Sequence, residues 1–533
     1  MAGAAAYIQP KFCQRSLDKD HMKRRAQAGI LLSILTSALA VSAFAAPRHP
    51  DVASLNKNSQ EIFSVAMEWG DKYYDAQAKL CRMPPSPQFA DLQSRQYLAV
   101  RESAWYALGL LLRDGTGDRE RAAQILDVVL NNQYREPGKP WDGTFRRTPA
   151  EPEPGTEAVM WRAYDPNWRE FIGTTFAIIL SEYPDRVSPE LRHRMIDSID
   201  YAIAGEMKQG RLASTYTNIS LMYAFLWDFA AERGGKPEWT APAEQWQKTV
   251  YDLYKQHDAF WEFNSPTYSG VDIFALALWR DYGFTPLMRK RGEEMEAGLW
   301  RTTADLYNAN LRNVSGPYDR AYGMDMQSYV SVMGLWLRTV LDVAHAPLTS
   351  FNPPVDHVPD LWLAPPIVIL DTRIPADALA KFERFPGPHG VRHPIADQRI
   401  ATAWIGKDVI YGGEITGHTR DVDARSQFHP VTVQWQSARD KIGWIQLTRC
   451  PAIDAAAEKG GIVISAAGNV SFRISAPGVI ASDLAAGKWT LPGLTIQVKS
   501  DAKSFSATQR GPFVDVEYNG ITQMTLTMPG DGD

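Results

Sequence analysis

Four stretches of this chain concentrate phenols, guanidiniums, amides and carboxylates between apolar runs. They are Trp141-Asp142-Gly143-Thr144-Phe145-Arg146-Arg147 and Tyr216-Thr217-Asn218, then Trp261-Glu262-Phe263-Asn264-Ser265-Pro266-Thr267-Tyr268-Ser269-Gly270-Val271-Asp272, and lastly Gly316-Pro317-Tyr318-Asp319-Arg320-Ala321-Tyr322-Gly323-Met324-Asp325. A comparable run from Gly417 to His429 lies in the last third. Two chemistries are available to such residues. A tyrosine phenol titrates near pH 10 and serves as a base at neutral pH only beside a cation. Tyr318 and Tyr322 each stand two residues from Arg320, which places a phenol and a guanidinium on one loop. Alternatively, two carboxylates can work as acid and base across a cleft. Glu262 paired with Asp272 or Asp319 would serve, and Asp142 and Asp165 are further candidates.

The elements that must position these loops are helices. From Leu55 to about Ala346 the sequence reads as helix after helix, in windows such as 55–80, 92–113, 117–133, 167–183, 239–258, 270–282, 285–308 and 324–344. Ser188-Pro189 is an N-cap followed by proline at the first helical position, and Ile196, Ile199 and Ile203 behind it share one helix face. Ile219, Met222 and Leu226 repeat that spacing in 212–232. Phe171–Leu180 and Leu221–Phe229 are apolar nearly all round, as inner helices of a ring of hairpins would be. Loops at one end of such a ring form a broad cleft.

Phe351-Asn352-Pro353-Pro354 opens a linker that Pro365-Pro366 closes. Beyond it lie short β-rich runs: 367–370, 431–435, 461–464, 494–498 and 524–528. Turn signals at Ala467-Gly468-Asn469 and Asn519-Gly520 separate them, which predicts an antiparallel sandwich. The expected organisation is a signal region at 1–46, an α/α toroid at 47–350, a linker at 351–366 and an antiparallel β-sandwich at 367–533.

The signal region has its own pattern. Met22-Lys23-Arg24-Arg25 is a basic start, Ala28 to Val41 is apolar, and Ala43-Phe44-Ala45 is a small-residue cleavage site. Met22 is then the expected true start, and the mature chain is expected in the periplasm or outside the cell, with no membrane contact after cleavage. A net charge of -5 with both signs dispersed argues against nucleic acid as a partner. No phosphate-binding glycine loop and no zinc spacing of Cys and His is present, so no cofactor is expected. Asp421 and Asp423 leave room for a structural Ca²⁺, although a solvated loop explains them as well.

An exported helical-hairpin half, a β-sandwich half, and Asn, Tyr and Arg on the joining loops resemble the toroid polysaccharide lyases, the alginate, chondroitin and heparinase type. The resemblance spans roughly residues 55–530 at the level of architecture. It implies a glycan partner containing uronic acid and cleavage by β-elimination. In such enzymes an Arg or Asn neutralises the substrate carboxylate, a Tyr or His removes the adjoining ring proton, and a Tyr protonates the leaving oxygen. On this chain the resemblance assigns proton transfer to Tyr268 and Tyr322 and carboxylate neutralisation to Asn218 and Arg320. His429 or His418 would reach the cleft from the β half. Trp141, Trp168 and Trp261 would stack on sugar rings. Arg146, Glu262, Asn264, Tyr318, Asp319 and Arg425 complete the expected substrate contacts.

Structural roles compete with each assignment. Asn218 could cap the 219–232 helix, Tyr268 could be a core phenol, and Asp319 and Arg320 a surface ion pair. His429 could be a satisfied interdomain histidine. A glycoside hydrolase on the same toroid is the second reading, and a non-catalytic glycan-binding protein the third.

Overall fold

The computed structural model describes residues 48–84, 97–348, 355–423 and 427–528. The expected signal region and Arg425 lie outside the described residues. The helical half begins with α1 (Lys57–Tyr73), followed by a small antiparallel sheet of β1 (Tyr74–Asp75), β2 (Leu80–Arg82) and β3 (Leu98–Ala99). Then come α2 (Val100–Arg113), α3 (Asp118–Asn131), α4 (Trp168–Glu182), α5 (Pro189–Gln209), α6 (Thr217–Arg233), α7 (Thr240–Lys255), α8 (Tyr268–Tyr282) and α9 (Pro286–Leu306). A hairpin of β4 (Tyr307–Asn308) and β5 (Asn313–Val314) leads to α10 (Val332–Arg338), α11 (Ala364–Leu370) and α12 (Ala376–Glu383).

These helices form two concentric layers. Helix α2 packs on α4, α4 on α6, α6 on α8, α8 on α11, and α11 returns to α2, closing an inner ring. Helices α3, α5, α7 and α9 pack outside it, and α1 covers α2 and α11. The layers differ as the sequence predicts. In α6, 14 of 17 residues are buried, whereas in α7 only 4 of 16 are. The outer helices carry the start signals: Ser188 caps α5 by accepting from the Leu191 amide, with Pro189 next, and Thr285 caps α9 with Pro286 next. Each cap is worth about 1 kcal/mol. Trp279 of α8 is fully buried and donates its indole N–H to the Leu221 carbonyl of α6 at 2.9 Å. The ring is also fastened by charge. Arg280 of α8 pairs with Glu296 of α9 at 2.9 Å and donates to the Leu370 carbonyl at 2.6 Å, at the negative end of α11.

The run 367–370, expected as the first strand, is helical. Pro365 and Pro366 fall in the first turn of α11, where proline is tolerated, so they start a helix and do not close a linker. Four consecutive apolar residues have no period that separates strand from helix. The helical half therefore extends through α12, and the strands of the second half begin at His389. The window at 324–344 also shortens, to α10, because its first residues form a loop up to the N-cap Ser331.

The second half is antiparallel: β6 (His389–Ala396), β7 (Arg399–Ile405), β8 (Val409–Ile415), β9 (Val431–Ala438), β10 (Lys441–Arg449), β11 (Asp454–Glu458), β12 (Gly461–Ser475), β13 (Leu484–Ala485), β14 (Lys488–Leu491), β15 (Leu494–Ser500), β16 (Ser504–Arg510) and β17 (Phe513–Thr527). Strands β12 and β17 pair from Gly461↔Thr527 to Ser475↔Phe513. Strand β12 also pairs with both β10 and β11, and β11 meets β8 at Asp454↔Ile415, so the sheet folds back over its own core. Tyr411, Val433, Leu447, Ile464, Phe472, Val516 and Leu526 meet in that core. The two expected turns are bulges instead. Gly468 (φ 137°) lies within β12 and Gly520 (φ 70°) within β17, and the Gly520 amide donates to Asn469 Oδ1 at 3.1 Å. A glycine flanked by polar residues can signal a bulge as well as a turn, and here the strands run on past it. Among the described residues no helix is long and apolar enough to cross a membrane.

Candidate active site

The inner helices all begin at one end of the ring. Arg101 in the first turn of α2 lies 5.2 Å from the ring of Trp168, which opens α4. Asn167, before α4, donates to the Tyr216 hydroxyl at 2.7 Å, and Tyr216 caps α6. The Arg320 guanidinium lies 5.3 Å from the Tyr216 ring and 3.6 Å from the ring of Tyr268, the first residue of α8. Four parallel helix starts thus adjoin, and their partial positive charge favours an anion there.

At this end the third and fourth loops meet. The Tyr268 and Tyr322 hydroxyls hydrogen-bond each other. Tyr322 is 43% exposed and stacks on His357 at 4.3 Å. Arg320 Nη1 donates to Glu262 Oε1 at 2.9 Å, and Glu262 Oε2 accepts from the Thr217 amide at the start of α6 at 2.9 Å. Burial lifts the Tyr268 phenol well above 10, against the pull of Arg320, so it stays protonated. Burial likewise raises the Glu262 carboxyl above its ordinary range, opposed by Arg320. Asp272 is raised well above its ordinary range by burial and by Glu262, and its Oδ1 has no hydrogen-bond partner among the described residues. Glu262 and Asp272 line one narrow cavity of about 10 Å³, room for about one water.

Behind this cluster the two halves are joined by charge. Asp319 Oδ2 accepts from Arg399 of β7 at 2.5 Å and from the Phe263 amide at 2.7 Å, and Oδ1 accepts from Arg420. Arg399 also donates to Glu414 of β8 at 2.9 Å and to the Trp261 carbonyl at 2.9 Å. Burial opposes ionisation of Asp319, but Arg399 and Arg420 hold its carboxyl below the ordinary value. Glu414 is raised by burial and by Asp319. The loop fits closely because Gly412 of β8 has no side chain: a Cβ there would sit 1.9 Å from the Gly316 carbonyl oxygen.

The predicted site residues separate into two groups. Tyr268, Tyr322, Arg320 and Glu262 converge, with Trp261 beside them, 39% exposed and 5.2 Å from the Arg399 guanidinium. Asn218 is buried in the first turn of α6 next to Thr217. It is not the cap, which is Tyr216, and its Oδ1 lacks a partner among the described residues. Asp319 is locked in the interdomain pairs. His429 exchanges backbone hydrogen bonds with Tyr318, at 2.8 and 3.0 Å, and burial lowers its imidazole to about 4, so it is neutral. Tyr318 is fully buried, its hydroxyl donating to the Val314 carbonyl and accepting from Gln434. Asn264 braces the fourth loop by donating to the Ser315 and Pro317 carbonyls, at 2.7 and 2.9 Å.

The others sit elsewhere. Trp141 is buried against Tyr134 and Tyr164 and bonds Glu136, and Trp168 is in the core, so neither offers a free face. Arg146 covers Tyr134 and pairs with Glu153. His418 pairs with Asp454 at 3.3 Å on the sheet. Asp421 accepts from the Ala452 amide at 2.6 Å. Among the described residues no group of three or more His, Cys, Asp or Glu side chains is placed to hold a metal. The sequence marks Tyr216 only as part of the second stretch, with no role, and does not single out His357, Arg399 or Glu414. For Arg399 and Glu414 the signal was charge on strands otherwise apolar; for His357 there was none.

A family model described as "Domain of unknown function (DUF8769)" matches residues 60–372. No curated protein matches the chain. Among solved structures, heparinase III is similar at 8% identity and a TM-score of 0.38, over 90% of this chain and 86% of that one. A heparan sulfate lyase HepC mutant from Pedobacter heparinus gives 12% and 0.31 over 92% and 87%, and endoglucanase CelQ from Clostridium thermocellum, complexed with cellotriose, 10% and 0.27 over 89% and 84%. Likenesses this distant leave the activity unassigned. The model match spans more than half of the chain, and the protein belongs to the DUF8769 family.

Proposed function

We propose that the chain is an exported polysaccharide lyase that cleaves a glycan containing uronic acid by β-elimination. The observation that carries this reading is the contact of the Tyr268 and Tyr322 hydroxyls beneath Arg320, at the ring end where the inner helices start. The substrate carboxylate would be met by Arg320, which lowers the barrier to removing the adjoining ring proton. Tyr322, the exposed phenol, takes that proton. It acts as the phenolate, to which the Tyr268 hydroxyl donates its hydrogen bond. Tyr268 then gives its proton to the leaving oxygen, and the product keeps a double bond conjugated with the carboxylate.

Hydrolysis would need two carboxyls flanking a sugar-sized gap of roughly 5–10 Å. Glu262 is held by Arg320 and Asp319 by Arg399, and the space shared by Glu262 and Asp272 admits one water. These engagements favour elimination. The leader from Met22 to Ala46 is the ground for proposing export. The test is incubation with a panel of uronate polysaccharides while following ultraviolet absorbance. New absorbance together with new reducing ends supports elimination; reducing ends without absorbance would replace it with hydrolysis.

A further inference from the structure

A second hollow lies on the seam between the two halves, with a volume of about 300 Å³. That is the lower end of the range of ligand pockets, roughly 300–1,000 Å³. It shares no lining residue with the tyrosine cluster. One wall is the tip of the β4–β5 hairpin (Ala309 to Arg312) with Gln327, and the other is the β9–β10 hairpin, with Gln436, Asp440, Lys441 and Ile442.

Gln327 donates to the Leu311 carbonyl at 2.9 Å and His345 pairs with Asp342 at 2.7 Å, whereas four other polar side chains of the lining are little used by the fold. Arg312 and Lys441 make no ion pair among the described residues; Arg312 is tethered only by a bond to the Ala344 carbonyl at 3.2 Å. Asp440, the acid on the wall, lies 3.7 Å from Arg439. Among the described residues the Gln436 side-chain amide makes no hydrogen bond, and the Asn310 side chain uses only its Nδ2, on the Lys407 carbonyl. Independently, Arg312 holds a left-handed backbone, φ 48°, at a turn where glycine or asparagine is easier. Such cost is commonly borne where a side chain has work to do. Leu311 and Ile442 supply an apolar floor.

We propose that this seam is a non-catalytic subsite for an acidic sugar of a glycan chain, with Arg312 and Lys441 on the carboxylate and Gln436 and Asn310 on the hydroxyls. The inference rests on the uronate reading above and adds a second point of attachment to it. A two-point hold keeps a polymer on the enzyme and leaves short substrates unaffected.

The test uses the full chain carrying Tyr322→Phe, so that substrate is bound and not consumed. Calorimetry follows a uronate hexasaccharide and the same hexasaccharide with its carboxyls reduced to alcohols. Adding Arg312→Glu and Lys441→Glu should weaken uronate binding about tenfold or more, and the neutral sugar should bind weakly to both proteins. With Tyr322 intact, the same two changes should leave turnover of a short uronate substrate unaltered. The milder Arg312→Gln and Lys441→Gln pair repeats the test if the reversals disturb folding. Unchanged uronate binding, or equal binding of the neutral sugar, overturns the subsite. Binding that depends on Arg312 and Lys441 in a protein that eliminates no uronate polymer sinks the catalytic reading and leaves the subsite standing.

Discussion

Replacing Tyr322 with phenylalanine removes one oxygen from the exposed end of the cluster and little else. The Tyr322 hydroxyl bonds Tyr268, while its ring stacks on His357 at 4.3 Å and lies 5.4 Å from the Tyr268 ring. Phenylalanine keeps both ring contacts. The lost hydrogen bond is at a position 43% exposed, so stability should fall by about 1 kcal/mol or less. If the phenol transfers the proton, the rate should fall by about 10²–10⁴, or about 3–5 kcal/mol of barrier. Initial rates of double-bond formation at saturating uronate substrate, paired with urea unfolding, measure both. Tyr268→Phe added to Tyr322→Phe should cost much less than the product of the single effects, because the two phenols act as a unit. A Tyr322→Phe enzyme within about threefold of wild type would refute this use of the hydroxyl pair.

Other outcomes follow from the same geometry. Arg399→Met leaves Asp319 and Glu414 facing each other with Arg420 alone between them. Unfolding should then become easier by about 3–5 kcal/mol, read in urea, and a loss under about 1 kcal/mol would contradict the role given to this junction. The folded His429 imidazole titrates at about 4 instead of 6.5, so the unfolded chain takes the proton first as pH falls. The stability it contributes above 6.5 is therefore lost between about 6.5 and 4, about 3 kcal/mol at full extent, and His429→Gln should flatten that part of the pH–stability curve. Cys81 and Cys450 are free and buried in separate cores, and burial raises both thiols, Cys450 to about 12. Alkylating reagent should label neither until the protein unfolds; rapid labelling of the native chain would contradict this placement.

The two-layer helical ring was legible because inner helices leave a distinctive trace. Phe171–Leu180 and Leu221–Phe229 have no polar face, and both are inner. The meeting of the third and fourth loops was legible too, because tyrosine and arginine crowd two polar stretches between apolar helices, although Tyr318 in the same loop fills the core. Exposure was not legible. Trp141, Trp168 and Trp261 look alike in the sequence, yet only Trp261 keeps an open face: Trp141 is enclosed by Tyr134, Glu136 and Tyr164 and Trp168 lies in the core beside Arg101. Ile367–Leu370 reads as a strand and folds as a helix, because a short apolar run carries no period. The interdomain pairs of Asp319 with Arg399 and Arg420 span 80 and 101 residues, a separation no local pattern encodes.

The sharpest measurement is digestion of a uronate polysaccharide in water enriched in heavy oxygen, with the products weighed by mass spectrometry. Elimination breaks the sugar–oxygen bond without adding water, so the new ends should carry no heavy oxygen and one product should be lighter than its hydrolytic counterpart by one water. Heavy oxygen at each new reducing end, with no unsaturated product, would contradict the transfer of a proton through Tyr322 and Tyr268.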